Sequence, residues 1–98
     1  MEEQQMIVFV KFSSELPFEE VMKVARERID QFRELKGLRQ KYYIRDPATG
    51  EVGGIYVWES REDLEKFNAS ELRATIADAY KVAGAPRVEV LEVVEILR

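Results

Sequence analysis

The sequence contains no cysteine and no histidine among its 98 residues. Without cysteine there is no disulfide, no thiolate nucleophile and no Cys-ligated zinc or iron–sulfur site. Without histidine the chain lacks the commonest general base near neutral pH and the commonest metal ligand, and it cannot form a Ser-His or Cys-His pair. No pair among the numerous carboxylates has a compelling acid/base spacing, and with both Cys and His missing we expect no metal site. Any chemistry must use carboxylates, Tyr, Lys, Arg, Asn or backbone groups.

A long apolar run and an excess of basic residues are also missing. The longest apolar run, Met6 to Val10, is far too short to span a bilayer, and the first residues, MEEQQ, do not resemble a signal peptide. Acidic residues outnumber basic ones 19 to 15, which disfavours nucleic-acid binding. We therefore expect a single domain over residues 1–98, cytoplasmic, with neither a membrane nor a nucleic acid as partner.

The spacing of apolar residues predicts secondary-structure elements in the order βαββαβ. A helix lies within 13–37, where apolar residues recur at helical spacing and Gly37 suits the position just past the end. A second helical region covers 60–67 and 70–84, with a break near Asn68. The predicted strands are 6–12, 38–45, 51–59 and 87–97.

This order is typical of the ferredoxin-like α+β fold, a four-stranded antiparallel sheet with its helices on one face. The first and last strands carry apolar residues on both faces. Because the helices can cover only one face, we expect a homodimer packed sheet to sheet. The alternative is a monomer whose second face stays open to water, as many antiparallel sheets allow.

The hairpin at residues 41–60 holds three of the four tyrosines, the only tryptophan and three of the five glycines. Such aromatic side chains can line a pocket for a planar ligand, or they can simply pack in the core. The adjacent Gly53 and Gly54 indicate a bulge or a close approach by another group. The sequence does not fix the strand register, and a slip of one residue would reverse every face.

The run from Gly37 to Glu59 reads G-L-x-x-K-Y-x-x-x-D-P-x-T-G-E-x-G-G-I-Y-x-W-E. It resembles the YdhR-type monooxygenases, which belong to the dimeric α/β-barrel superfamily together with the antibiotic-biosynthesis monooxygenases. The segment 60–72 is similar to the family as well. The resemblance implies a homodimer whose sheets form a barrel, and a pocket between each sheet and its helices. Members of known activity oxidise polycyclic phenols with O₂ and without metal, flavin or haem, so no cofactor is expected.

A small aromatic molecule is therefore the expected partner. Aromatic rings could hold it, and cationic or hydroxyl groups could stabilise its anion. Lys41 could instead be solvated or pair with Glu51 or Glu59 across the hairpin, and Asn68 could simply cap a helix. No catalytic residue is assigned. The candidate binding residues are Phe9, Phe32, Lys41, Tyr43, Tyr56, Trp58 and Asn68.

Three functions remain open from the sequence. The leading one is a cofactor-independent monooxygenase acting on a small aromatic or polyphenolic substrate. The second is a non-catalytic protein of the same fold that binds or carries such a ligand, and the third is a structural dimer without a pocket. RNA binding is disfavoured because the middle strands lack the basic-aromatic motif of RNA-recognition domains.

Overall fold

Antiparallel strands and helices form residues 4–98, the part of the chain that the computed structural model describes. The sheet order is β2-β3-β1-β4, so β1 and β3 are central and β2 and β4 form the edges. This is the ferredoxin-like arrangement, and the predicted fold class is confirmed. The elements are β1 (Met6–Ser14), α1 (Phe18–Arg33), β2 (Leu38–Arg45), β3 (Val52–Trp58), α2 (Arg61–Asn68), α3 (Glu71–Ala74), α4 (Ile76–Ala79) and β4 (Val82–Glu92).

The register of the central pair decides which side chains meet the helices. Met6 lies opposite Trp58 and Val8 opposite Tyr56, and all four side chains are buried. They pack in one cluster with residues of α1 and α2, such as Phe32. We call this side of the sheet the helix face. We call the other side, which no helix covers within residues 4–98, the open face.

Helix α1 is shorter than predicted. It begins after Pro17, carries Glu19 and Glu20 in its first turn, and ends at Arg33 rather than beside Gly37. The backbone N–H of residue 35 donates to the carbonyl of residue 32 at 3.1 Å, so the chain leaves the helix in a tight turn. Gly37 is still required after this turn. Its φ is +84°, and a Cβ there would lie 2.2 Å from a carboxylate oxygen of Asp63.

The predicted helix over 70–84 is interrupted at Thr75 and ends at Ala79, earlier than expected. Two short helices, α3 and α4, replace it, and Lys81 follows with a left-handed φ of 49°. The last strand begins at Val82 and ends at Glu92 instead of spanning 87–97. Residues 84–86, including Pro86, are tolerated because β4 is an edge strand and its pairing with β1 is irregular between Lys11 and Ser13.

Edge strand β4 is exposed along most of its length. Val88 and Val90 point to the helix face, yet 46% and 48% of their surface is accessible, because the helices do not extend over this edge. On the open face Tyr42 and Leu91 are exposed to a similar degree, 53% and 48%. Over the described residues, no helix combines the length and the apolar character needed to span a bilayer.

Candidate functional site

A cavity of about 110 Å³ lies between the helix face and the helices. Its boundary is mostly apolar, with a few polar groups from β2, β3 and the helices, which is typical of small-molecule sites. Gly54 leaves space at the floor of the cavity. A Cβ there would lie 3.3 Å from the Tyr56 ring and 3.6 Å from the Lys41 side chain. The cavity is larger than one water needs.

Lys41 projects from β2 onto the helix face and ends among aromatic rings. Its Nζ lies 3.3 Å from the ring centroid of Phe32, 4.5 Å from that of Tyr43 and 4.7 Å from that of Tyr56. We call these three rings the aromatic cage. Lys41 forms no ion pair with any residue in 4–98, and Glu51, a predicted alternative partner, pairs with Lys11 and Arg87 instead.

The cage changes the acid–base properties of this amine. Burial, and to a smaller extent the nearby charge of Arg28, together lower the pKa of Lys41 from 10.5 to about 7. The ring faces attract the charged form of the amine, which opposes these two effects. With a pKa of about 7, a large share of the Lys41 side chains carry a neutral amine at physiological pH.

Three tyrosines surround the same space. Burial raises the pKa of Tyr43, Tyr56 and Tyr80, to about 12 for Tyr80, while Arg28 partly offsets the effect at each of them. All three hydroxyl groups therefore keep their protons at neutral pH. They can donate hydrogen bonds to a ligand but do not act as anions.

Two hydrogen-bond donors, on side chains that line the cavity, have no partner within residues 4–98. They are the hydroxyl of Tyr43 and the indole Nε1 of Trp58, whose side chain is 1% exposed. The Trp58 ring stacks parallel to that of Tyr56, with centroids 6.4 Å apart, and packs on Phe67 at 5.2 Å. Buried donors without partners are rare and cost free energy, so an acceptor atom from a ligand or a water would stabilise each of these groups.

Comparison with known proteins assigns the family. Residues 7–93 match the protein family described as "Putative mono-oxygenase ydhR". The chain belongs to this family. No curated protein sequence matches it significantly.

Solved structures share the fold at low sequence identity. One is described as an antibiotic-biosynthesis monooxygenase from Caulobacter crescentus (TM-score 0.80, 18% identity, 95% of this chain and 92% of that one). Another is SnoaB, a cofactor-independent oxygenase from Streptomyces nogalater (0.78, 14%, 96% and 97%). A third is the ActVA-Orf6 monooxygenase of Streptomyces coelicolor, in complex with nanaomycin D (0.76, 17%, 97% and 92%). The antibiotic-biosynthesis monooxygenase fold is thereby confirmed for this member of the ydhR family.

Most candidate binding residues meet in one place. Phe32 lies behind Lys41 and contributes a ring to the cage, whereas Phe9 lies on the open face, away from the cavity. The reason is strand alternation, since Phe9 is one residue from Val8 and Val10, which both line the cavity. The predicted residues that line the cavity are Lys41, Tyr43, Tyr56, Trp58 and Asn68.

Sequence reasoning missed two contributors. Tyr80 follows α4 and reaches the cavity, although its position on an apolar helix face was visible in the sequence. Arg28 was missed because nothing local distinguishes it from the other arginines of α1. Its Nη2 donates to the carbonyl of Leu72 at 3.1 Å and to the Thr75 hydroxyl at 3.0 Å, which fixes its charge near the tyrosines. In residues 4–98 no cluster of acidic side chains could hold a metal ion.

Proposed function

We propose that this protein is a cofactor-independent monooxygenase that oxidises a small phenol or polyphenol in the cavity between sheet and helices. The observation that carries the proposal is the combination at one site of a partly buried lysine amine without a carboxylate partner in residues 4–98, Lys41, with two unpartnered buried donors, Tyr43 and Trp58. A phenol needs a base to remove its proton, and its oxygen accepts hydrogen bonds. The cavity offers a group for each need.

The first chemical step is proton transfer. The neutral Nζ of Lys41 accepts the proton of the phenolic hydroxyl, and the resulting ammonium group stabilises the phenolate in a site of low polarity. A base with a pKa of about 7 is well matched to this work at neutral pH. The phenolate is much richer in electrons than the phenol, and this is the form that reacts with O₂.

The remaining steps need no redox group from the protein. The substrate supplies all four electrons that O₂ accepts. One oxygen atom enters the ring as a quinone carbonyl and the other leaves as water, so a phenol and O₂ give a quinone and water. The role of the side chains is to bind and orient, with ring contacts from Tyr56 and hydrogen bonds from Tyr43 and Trp58 to the substrate oxygen atoms.

The solved neighbours lend support of a limited kind. SnoaB is described as a cofactor-independent oxygenase, and the Streptomyces coelicolor enzyme was crystallised with nanaomycin D. At 14% and 17% identity they share the fold with this chain, and fold alone does not fix the reaction. The proposal therefore rests on the Lys41 site together with membership of the ydhR mono-oxygenase family.

Oxygen uptake tests the proposal. Purified protein is given an anthrone in buffer containing a chelator and no flavin or haem, and the rate is compared with autoxidation of the same solution. We expect uptake well above the blank, and at least a tenfold loss of rate in Lys41→Met. Lys23→Met is the matched control, because Lys23 is an exposed lysine of α1. Uptake at the blank rate over a broad panel of phenols would contradict the proposal.

The same panel separates catalysis from binding. Tight binding of a phenol in calorimetry, with one site per chain and no oxygen uptake, would identify a binding or carrier protein. The two unpartnered donors beside the cavity favour this second function as much as the first, since binding alone would satisfy them.

We further propose that the open face is covered by the open face of a second copy. Tyr42 and Leu91 are half exposed there, and they flank the less exposed residues of β1 and β3. We expect a dimer in analytical ultracentrifugation, and a shift to monomer in the double variant Tyr42→Glu, Leu91→Glu. A wild-type monomer at high micromolar concentration would contradict this assembly.

A further inference from the structure

Lys41 differs in its surroundings from every other lysine in the chain. Lys11, Lys66 and Lys81 each pair with a carboxylate. Lys23 and Lys36 are exposed to water. Lys41 alone ends in the aromatic cage, on the boundary of a cavity that no carboxylate lines among the described residues. An uncharged amine beside a cavity is a nucleophile as well as a base, and desolvation with a cationic neighbour is an established way to activate one.

The charged and titratable groups around this amine come from several elements. Helix α1 contributes Arg28, and α3 contributes Arg73, which also lines the cavity. The three tyrosines come from β2, from β3 and from the residue after α4, and each is protonated at neutral pH. The part of β4 that borders the cavity presents Val88 and Val90, which carry no charge. The site therefore holds positive charge and neutral hydroxyl groups.

We propose that Lys41 is an imine-forming lysine, which condenses with small aromatic aldehydes that enter the cavity between sheet and helices. The Nζ lone pair attacks the aldehyde carbon, and the carbonyl oxygen takes up a proton, giving a carbinolamine. Loss of one water from the carbinolamine leaves a C=N bond between Lys41 and the ligand. The step needs no oxidant or reductant, and its products are the imine and water.

The surroundings favour an aromatic aldehyde over other carbonyl compounds. The cavity boundary is mostly apolar, and the ring faces of Tyr43 and Tyr56 can pack against a planar ring. The unpartnered hydroxyl of Tyr43 can donate to the aldehyde oxygen, which polarises the carbonyl and favours loss of water. The Trp58 N–H supplies a second donor for a substituent on the ring. This inference uses the same cavity as the proposed function but does not depend on oxygen chemistry.

Reductive trapping tests the inference directly. The full-length protein is incubated at pH 7 with 4-hydroxybenzaldehyde and sodium cyanoborohydride, which converts an imine into a stable secondary amine. Tryptic peptides are then analysed by mass spectrometry, where trapped Lys41 appears in a peptide with a missed cleavage. We expect Lys41 to be labelled at least tenfold more than Lys23 and Lys36, the exposed lysines of the same chain. Equal or lower labelling of Lys41 would overturn the proposal.

The pH dependence provides a second readout. Labelling of Lys41 should rise as the pH passes through about 7 and then level off, because the amine is by then mostly neutral. Lys41→Arg retains the positive charge and the length but not the nucleophile, and the most strongly labelled peptide should disappear. If Lys41 labelling followed the same pH curve as Lys23, the inference would be wrong.

The outcome is separable from that of the proposed function. Trapping at Lys41, with no oxygen uptake in the presence of any phenol, would support the imine-forming lysine and contradict the proposed monooxygenase function. Oxygen uptake that depends on Lys41, without preferential trapping, would do the reverse. The wild-type peptide map requires no variant to fold, so it remains informative even if Lys41→Arg is unstable.

Discussion

Lys11 and Lys41 lie on opposite faces of one sheet and have opposite electrostatic surroundings. On the open face, the Lys11 amine bonds to the carboxylate of Asp46 and has Glu51 at 3.9 Å. On the helix face, the Lys41 amine has three aromatic rings and no carboxylate partner among residues 4–98. Identical side chains on one sheet therefore take different roles. Lys11 forms ion pairs on the partly exposed open face. Lys41 has an amine that can act as a base or as a nucleophile.

The largest expected effect concerns the buried rings of the helix face. Trp58→Ala removes a side chain that is 1% exposed and packs on Tyr56 and Phe67, so it should cost about 3–5 kcal/mol in the free energy of unfolding. Tyr42→Ala is the control on the open face, and it should cost less than about 1 kcal/mol because the ring is 53% exposed. Urea denaturation at low protein concentration measures both. Equal losses in the free energy of unfolding for the two variants would show that the two faces do not differ in how tightly their rings are packed.

The adjacent glycines offer an intermediate effect. A Cβ on Gly53 would lie 1.8 Å from the backbone oxygen of Val10, so Gly53→Ala should cost about 1–3 kcal/mol or more as the strands separate. A Cβ on Gly54 would meet Tyr56 and the backbone oxygen of Tyr42 at 3.3 Å, which a small shift can relieve. Gly54→Ala should therefore fold nearly as well as the wild type.

Ligand affinity provides a second test of the Gly54→Ala variant. Because the added methyl group at Gly54 points into the cavity, Gly54→Ala should weaken binding of a phenol while leaving stability almost unchanged. Calorimetric titration with the same phenol makes the measurement. An unchanged affinity would indicate that the ligand does not reach this part of the cavity floor.

The last comparison is a pH dependence of stability. Because the pKa of Lys41 is lowered from 10.5 to about 7 on folding, the unfolded chain binds more protons between those values. The free energy of unfolding should therefore rise as the pH increases from about 7 towards 10.5. Above pH 10 the raised pKa values of Tyr56 and Tyr80 have the opposite effect, since there the folded state retains more protons.

Urea denaturation at pH 7, 8, 9 and 10 measures this dependence. Lys41→Met should flatten the rise, whereas Lys11→Met on the open face should leave it in place. If both variants kept the wild-type slope, Lys41 would not be the group responsible.

Much of the fold could be predicted from sequence because apolar periodicity reports directly on burial. Strand β2 has the predicted bounds, and the apolar residues predicted on both faces of the first strand are present in β1, with Val8 on the helix face and Phe9 on the open face. The start of β4 could not be predicted in this way. Glycine and proline at 84–86 usually end a strand, and they are allowed here only because β4 is at the edge and opposite an irregular stretch of β1.

The candidate site was predictable in composition but not in geometry. The concentration of aromatics in the hairpin indicated Tyr43, Tyr56 and Trp58, whereas their arrangement depended on a register that the turn does not specify. The cage around Lys41 requires Phe32 from α1, and Arg28 acts on it through space. Contacts between residues distant in sequence leave no periodic signal, so local patterns could not identify them.

The parallel arrangement of the Trp58 and Tyr56 rings also allows fluorescence energy transfer between them. With ring centroids 6.4 Å apart, light absorbed by Tyr56 can pass efficiently to Trp58, the only indole in the chain, and be emitted there. Because both rings lie on β3, the transfer persists while that strand is intact. It changes when a planar ligand absorbs near either ring. Occupancy of the cavity can thus be followed through the native emission, without any attached dye.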